Sequence, residues 1–189
     1  MKIGVVSDTH GFFAPQLSTV LAGVDEILHA GDVGVQSVLD ELGAIAPVHA
    51  VRGNVDPPDL GLAPTLTQRY GTVAVHMLHA LPETQSTLRN WAETAPLEGR
   101  SARDCRRFLE GLAPECRVVI FGHSHEPCAL VLAGKLFFNP GSAGKKRFSL
   151  PRCCGSLEIS AAGVRATFHG LERYNEDLPE GVWLSTEGA

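Results

Sequence analysis

MKIGVVSDTHGFFAPQLSTVLAGVDEILHAGD, residues 1–32, carries the unit on which the whole fold rests. MKIGVV is a short apolar run of strand length, and Leu17, Val20, Leu21 and Val24 then recur at the i, i+3, i+4, i+7 spacing of a helix face. EILHA returns as a second strand. Beyond it Val35, Val38, Leu39 and Leu42 repeat the helical spacing, Gly43 offers a stop, and PVHAVR reads as a third strand. Strand, helix, strand, helix, strand implies parallel pairing through right-handed crossovers.

Further along, TVAVHML reads as a fourth strand, and a polar section from Glu83 to Leu112 places Cys105, Phe108, Leu109 and Leu112 on one helical face. RVVIF is a fifth strand. After residue 127 the style changes: CALVLAGKLFFN is two apolar runs around Ala133 and Gly134, and GSLEIS-AAG-VRATFH is two more around a glycine-containing turn. The second half is therefore expected to be an antiparallel meander. The sequence contains no internal repeat, low-complexity segment or linker, so one domain over residues 1–170 is expected, followed by an acidic C-terminal tail over 171–189.

A chain of 189 residues can bury about 70% of the surface its unfolded form exposes, so neither disulfide nor metal is needed simply to fold. Its apolar runs are too short to span a bilayer, and no signal peptide is evident, so a cytoplasmic location is expected. Five cysteines, an odd number with no C-x-x-C pair, fit a reducing compartment and buried packing roles. Of the net charge of -5, the segment from Leu171 onward carries most, with five acids against Arg173. Lys145, Lys146 and Arg147, with Arg152 nearby, form a single basic cluster, which at most attracts a phosphorylated ligand. No basic stripe with interleaved aromatics exists, so a nucleic-acid partner is not expected.

The polar residues follow a rule. Asp8 and His10 come after the first strand, Asp32 after the second, Asn54 after the third, His79 after the fourth, and His123 and His125, in FGHSHEP, after the fifth. In an open sheet the carboxyl ends of parallel strands lie along one edge, where ligands bind. Gly31, Gly53 and Gly122 immediately precede Asp32, Asn54 and His123, where tight turns must point side chains inward. Three carboxylate or amide oxygens and four imidazoles exceed the needs of one ion with an open position but suit two divalent cations sharing an aspartate. Two ions about 3.5–4 Å apart can hold a hydroxide and clamp a phosphate ester for in-line attack.

SDTHG (7–11), AGD (30–32), RGNVD (52–56), a histidine after the fourth strand and GHSH (122–125) together resemble the ordered motifs of the calcineurin-like metallophosphoesterases. NPGS (139–142) is similar to the small bacterial and archaeal phosphodiesterase branch. The resemblance implies an α/β four-layer αββα sandwich, two mixed sheets face to face with helices outside. It implies Asp8, His10 and His125 on one ion, Asn54, His79 and His123 on the other, Asp32 bridging, and a catalytic part for Asn54 and His123. Two divalent ions, manganese by preference with iron, zinc or nickel open, and a small phosphoester substrate follow from it. So does phosphodiester hydrolysis, with a phosphomonoesterase, a nuclease or a non-catalytic scaffold of the same fold as the other readings. The sequence departs from the family at Val55, where many members carry a histidine that protonates the leaving group, and at HALP (79–82), where His-Gly is usual. His76 competes with His79 but lies within its strand. The tail, with Trp183, is a place where a second copy of the chain can dock.

Overall fold

Strand β1, Lys2–Val6, alternates Ile3 and Val5 to one face with Gly4 and Val6 to the other, and all four are buried. A strand buried on both faces must be covered by a layer on each side, and that requirement organises the molecule. The computed structural model describes the chain apart from residues 95, 147, 148, 173–177 and 186–189.

Helix α1 (Leu17–Val20), strand β2 (Glu26–His29), helix α2 (Gln36–Gly43) and strand β3 (Val48–Ala50) continue the opening unit. Strands β1, β2 and β3 pair parallel, as the crossover pattern predicts. Then come β4 (Thr65–Tyr70), β5 (Val73–Leu78), α3 (Gln85–Glu93), α4 (Gly99–Glu110), β6 (Cys116–Ile120), β7 (Cys128–Leu132) and β8 (Lys135–Asn139). Strands β9 (Cys153–Ile159), β10 (Gly163–Gly170) and β11 (Val182–Ser185) complete the order. They form two mixed sheets, β11-β10-β9-β1-β2-β3 and β4-β5-β6-β8-β7.

Three apolar clusters fill the three interfaces of a four-layer sandwich. Ile3, Val5 and Leu28 of the first sheet meet Val75, Met77, Ile120 and Phe138 of the second between the sheets. Leu17, Leu21, Val38 and Leu42 of α1 and α2 cover Val6 and Ile27 on one outer face. Leu88, Trp91, Cys105 and Phe108 of α3 and α4 cover Val119 and Phe137 on the other. Phe138 is fully buried and stacks on Phe168 at 5.1 Å, so truncating it to alanine removes about 3–5 kcal/mol.

Three features differ from the sequence expectation. The five ligand-bearing strands do not share one open sheet: β1, β2 and β3 belong to the first sheet and β5 and β6 to the second. The ends of both sets still meet at one edge of the sandwich, where residues after β2 and β3 touch residues after β5 and β6. Strand β4, which pairs antiparallel with β5, escapes the apolar pattern because TLTQRY is a half-exposed edge strand. Past residue 170, β11 adds an antiparallel edge strand to β10, with Trp183 beneath the Arg165 guanidinium at 5.4 Å. The two hairpins of the second half, β7-β8 and β9-β10, are antiparallel as expected, while β8 also pairs parallel with β6. Among the described residues no helix is long and apolar enough to cross a membrane.

Candidate metal centre

The loops after β1, β2 and β6 turn sharply. Asp8, His10, Asp32, His123 and His125 all have left-handed backbones, with φ of 55°, 48°, 54°, 70° and 61°. Ala133, in the β7-β8 turn, is the other non-glycine of this kind among the described residues. Such conformations cost about 1–3 kcal/mol each and persist where the surroundings impose them, typically at functional sites. Here the loops are laced to one another: the N–H groups of Asp8, His10 and Gly11 donate to the carbonyls of Gly31, Asp32 and Val33 at 3.0, 2.9 and 2.8 Å. Two glycines permit this closeness. A Cβ on Gly53 would overlap the Asp32 carboxylate and backbone, and one on Gly122 would overlap Ser7 Oγ and press on Asp8 Oδ2.

All seven residues singled out from the sequence converge there. His10 Nε2 and His125 Nε2 stand 3.1 Å apart, and Asp8 Oδ1 lies 3.9 and 3.3 Å from them. On the other side Asn54 Oδ1 lies 3.0 Å from His79 Nε2 and 2.9 Å from His123 Nδ1. Asp32 Oδ2 sits between the two groups, 3.7 Å from His10 Nε2 and 3.3 Å from His79 Nε2. Two ligands at right angles around an ion at about 2.1 Å stand about 3 Å apart, which is the spacing found.

The polar atoms behind the ligands decide what the ligands can do. Ser7 Oγ and the His123 N–H donate to Asp8 Oδ2 at 2.6 and 3.1 Å, while Oδ1, aimed at the centre, is buried without a hydrogen-bond partner. The Val55 N–H donates to Asp32 Oδ1 at 3.1 Å, leaving Oδ2 for the centre. His79 donates its Nδ1–H to the Ala30 carbonyl at 2.7 Å, so the Nε2 lone pair faces Asn54 Oδ1 and Asp32 Oδ2. A lone pair opposite two oxygens is repulsive unless a proton or a cation lies among them. An orphaned carboxylate oxygen and inward-facing lone pairs fit divalent cations, and the acidic and histidine atoms group as Asp8, His10, His125 and as Asp8, Asp32, His79. Burial pushes the Asp8 carboxyl up to about 6, against the Ser7 hydrogen bond. Without a cation a proton takes the place beside His79 Nε2: burial works to raise Asp32, but hydrogen bonds from protonated His79 and from the Val55 N–H hold it at about 2.

Other residues weighed from the sequence lie elsewhere. His76 points to the outer face of β5 and shares a 2.8 Å hydrogen bond with Thr67. His29 is fully buried: its Nδ1 accepts the Gly31 N–H and its Nε2–H donates to Thr9 Oγ1, and burial pushes it down to about 3. Asp56 accepts the Gly34 and Gly53 N–H groups at 2.7 Å each, clamping the Asp32 loop to the Asn54 loop rather than capping the adjacent prolines. Ser142 donates to the Asp8 carbonyl at 2.9 Å and accepts the Gly144 N–H, a turn-closing role. Of the basic cluster, Arg147 lies outside the described residues; Lys146 pairs with Glu172 and Arg152 packs on Phe12. All five cysteines are free and buried.

The sequence reading missed Asn139 and Gln85. Buried Asn139 donates to the Gly122 carbonyl, Ser124 Oγ and Gln85 Oε1, and Gln85 Nε2 donates to the Glu126 carbonyl, so β8 and α3 hold the histidine loop from behind. Asn139 opens the NPGS stretch, the one available signal; nothing marks Gln85. Two roomy hollows, about 600 Å³ by Val20, Arg152 and Leu171 and about 570 Å³ along α4 by Leu97, Cys105 and Leu109, contain none of the candidate ligands.

A fold of two mixed sheets with this centre at their shared carboxyl edge defines a metallophosphoesterase-like domain. Residues 1–162 match the calcineurin-like phosphoesterase superfamily domain, and the chain belongs to that family. A probable metallophosphoesterase of Methanothermobacter thermautotrophicus is 30% identical over 158 residues, covering 80% of this chain and 82% of the relative. The probable metallophosphoesterase YsnB of Bacillus subtilis is 30% identical over 176 residues, covering 87% and 89%. Among solved structures, the YfcE phosphoesterase of E. coli superposes with a TM-score of 0.64 at 20% identity, covering 98% of this chain and all of its own. Vps29 of Entamoeba histolytica in complex with zinc superposes with a TM-score of 0.69 at 23% identity, covering 98% of this chain and 100% of that one. These two likenesses establish the fold.

Proposed function

We propose that the chain is a phosphodiesterase that uses two divalent cations, manganese by preference. One observation carries this reading: Asp32 Oδ2 stands 3.7 Å from His10 Nε2 and 3.3 Å from His79 Nε2, with Asp8 and His125 beside the first and Asn54 and His123 beside the second. When bound, the cations supply Lewis-acid stabilisation of the phosphate oxygens and activate water at neutral pH. Water adds to phosphorus, the bond to one ester oxygen breaks, and the alcohol leaves with a proton.

This chain's own residues do the positioning. Asp8 and Asp32 bring the negative charge that offsets the cations, His79 is held in one tautomer by Ala30, and Asp56 fixes the two loops on which Asp32 and Asn54 ride. A diester carries one negative charge and a monoester up to two. Among the described residues the cleft beside His123 is lined by no lysine or arginine, which supports the singly charged substrate. Val55, 55% exposed next to Asn54, offers no proton to the leaving oxygen, and buried His29 cannot replace it.

A scaffold built on the same fold is the competing reading, since Vps29 shares the architecture. Assay of the purified protein, stripped and then reloaded with each ion in turn, against matched diesters and monoesters separates the two. Ion-dependent release from diesters is expected; a protein indifferent to metal in both activity and stability is a scaffold. Trp183 on β11 is the place we propose for self-association, and light scattering of Trp183→Ser against the parent checks it.

A further inference from the structure

Beside His123 a cleft of about 370 Å³ opens between residues 81–86 and 121–126, the loops that follow β5 and β6. Leu81 and Phe121 contribute apolar wall, while Glu83, Thr84, Ser124 and Glu126 contribute polar surface. It is a built feature rather than a fold of loose loop. Buried Gln85 pins the Glu126 carbonyl at 3.3 Å, and Asn139 ties Gly122 and Ser124 to the same wall. One end of the cleft is a candidate metal ligand, so a phosphate held at the centre directs one substituent into it.

The charges of this cleft are one-sided. Glu83 and Glu126 line it, and among the described residues no lysine or arginine does. Arg89 reaches Glu126 Oε1 at 3.1 Å, but both side chains are nearly half exposed, so water screens that pairing. The start of α3 at Gln85 adds the partial positive charge of a helix N-terminus, about half an elementary charge, against two whole carboxylates. The balance is negative.

Resting on the phosphoesterase reading above, we infer that the Leu81–Glu126 cleft is the substituent pocket of this enzyme, and that Glu83 and Glu126 make it select an amino alcohol over an acidic one. A positive charge about 7 Å from a carboxylate gains, and a negative charge loses, roughly threefold to tenfold in affinity at a partly solvated site. Substrates bearing a second phosphate or a carboxylate on that substituent are thus rejected, and those bearing an ammonium group retained.

Titration calorimetry of the manganese-loaded protein with phosphocholine, phosphoglycolate and inorganic phosphate tests this, with inorganic phosphate as the reference ligand. In Glu83→Gln/Glu126→Gln the affinity ratio of phosphoglycolate to phosphocholine should rise at least about tenfold over the parent. An unaltered ratio overturns the pocket assignment while inorganic phosphate still binds. Failure of inorganic phosphate to bind the loaded parent overturns the phosphoesterase reading itself and this inference with it. As a second reading, the single variants should each produce part of the change; a shift from Glu83→Gln alone would remove Glu126 from the pocket.

Discussion

Replacing Asp8 by asparagine should stabilise the protein when no metal is present and destabilise it, relative to the parent, when metal is. Asp8 is fully buried and burial lifts its carboxyl from 3.8 to about 6. A raised carboxyl pKa means that the folded form holds its proton to higher pH than the unfolded form. Stability associated with that proton is full below about pH 4 and is lost as pH rises through about 6. Two pKa units correspond to about 3 kcal/mol at pH 7.5. Asparagine removes this cost without breaking the local network. Its oxygen can accept from Ser7 and the His123 N–H as Oδ2 does, and its NH₂ takes the place of Oδ1, 3.3 Å from His125 Nε2. Urea unfolding in chelator at pH 7.5 should therefore place Asp8→Asn up to about 3 kcal/mol above the parent with the same m value, or about 5–10 °C in Tm. At pH 4 the two should coincide. Added manganese should reverse the order, since an ion at about 1,000 times its Kd stabilises the parent by about 4.1 kcal/mol, more than the roughly 3 kcal/mol that the buried carboxylate costs, and the variant lacks an anionic ligand for it. A variant that unfolds more easily than the parent in chelator at pH 7.5 would refute the reasoning, because Asp8 would then be stabilising the fold rather than straining it for the ion.

Other substitutions test separate parts of the centre. Asp32→Asn should remove activity more completely than any other single ligand change, because its carboxylate serves both ligand sets; elemental analysis finding two retained ions and normal turnover would sink that idea. His79→Ala should lose one ion with the fold intact, whereas His76→Ala, which breaks only the Thr67 contact on the outer face, should retain both and change stability by about 1 kcal/mol; metal content and thermal melts read the difference. The parent should cleave nitrophenyl diesters well and simple alkyl diesters poorly, by about 10²- to 10⁴-fold beyond their intrinsic difference, for want of an acid at Val55; a flat dependence on leaving-group pKa would show that another group supplies the proton.

The sequence by itself determined the opening βαβαβ unit, the antiparallel hairpins and the place of seven candidate ligands in order after strand ends, because these depend on local periodicity and on single residues such as Asp8, Asp32 and His123. It also placed His76 within the fourth apolar strand and His79 just past its end, as β5 has them, since a strand end and a strand interior differ in local pattern. Edge strands were less legible: TLTQRY buries little apolar surface, and β11 lies in an acidic segment whose pairing with β10 is a long-range matter. Only the tertiary structure decided that the candidate ligands come from two sheets rather than one, and that Asp32 Oδ2 lies within 3.7 Å of both His10 Nε2 and His79 Nε2. The same holds for the supports. Asn139, Gln85 and Asp56 each hold loops that are distant in the chain, and nothing in their immediate neighbours announces it. The left-handed backbones at Asp8, His10, Asp32, His123 and His125 are uncommon for non-glycine residues, and although Asp and His adopt them more readily than most, local propensity does not say which of the chain's Asp and His residues will. They exist because two packed sheets impose them, and it is that packing which turns seven scattered side chains into one centre.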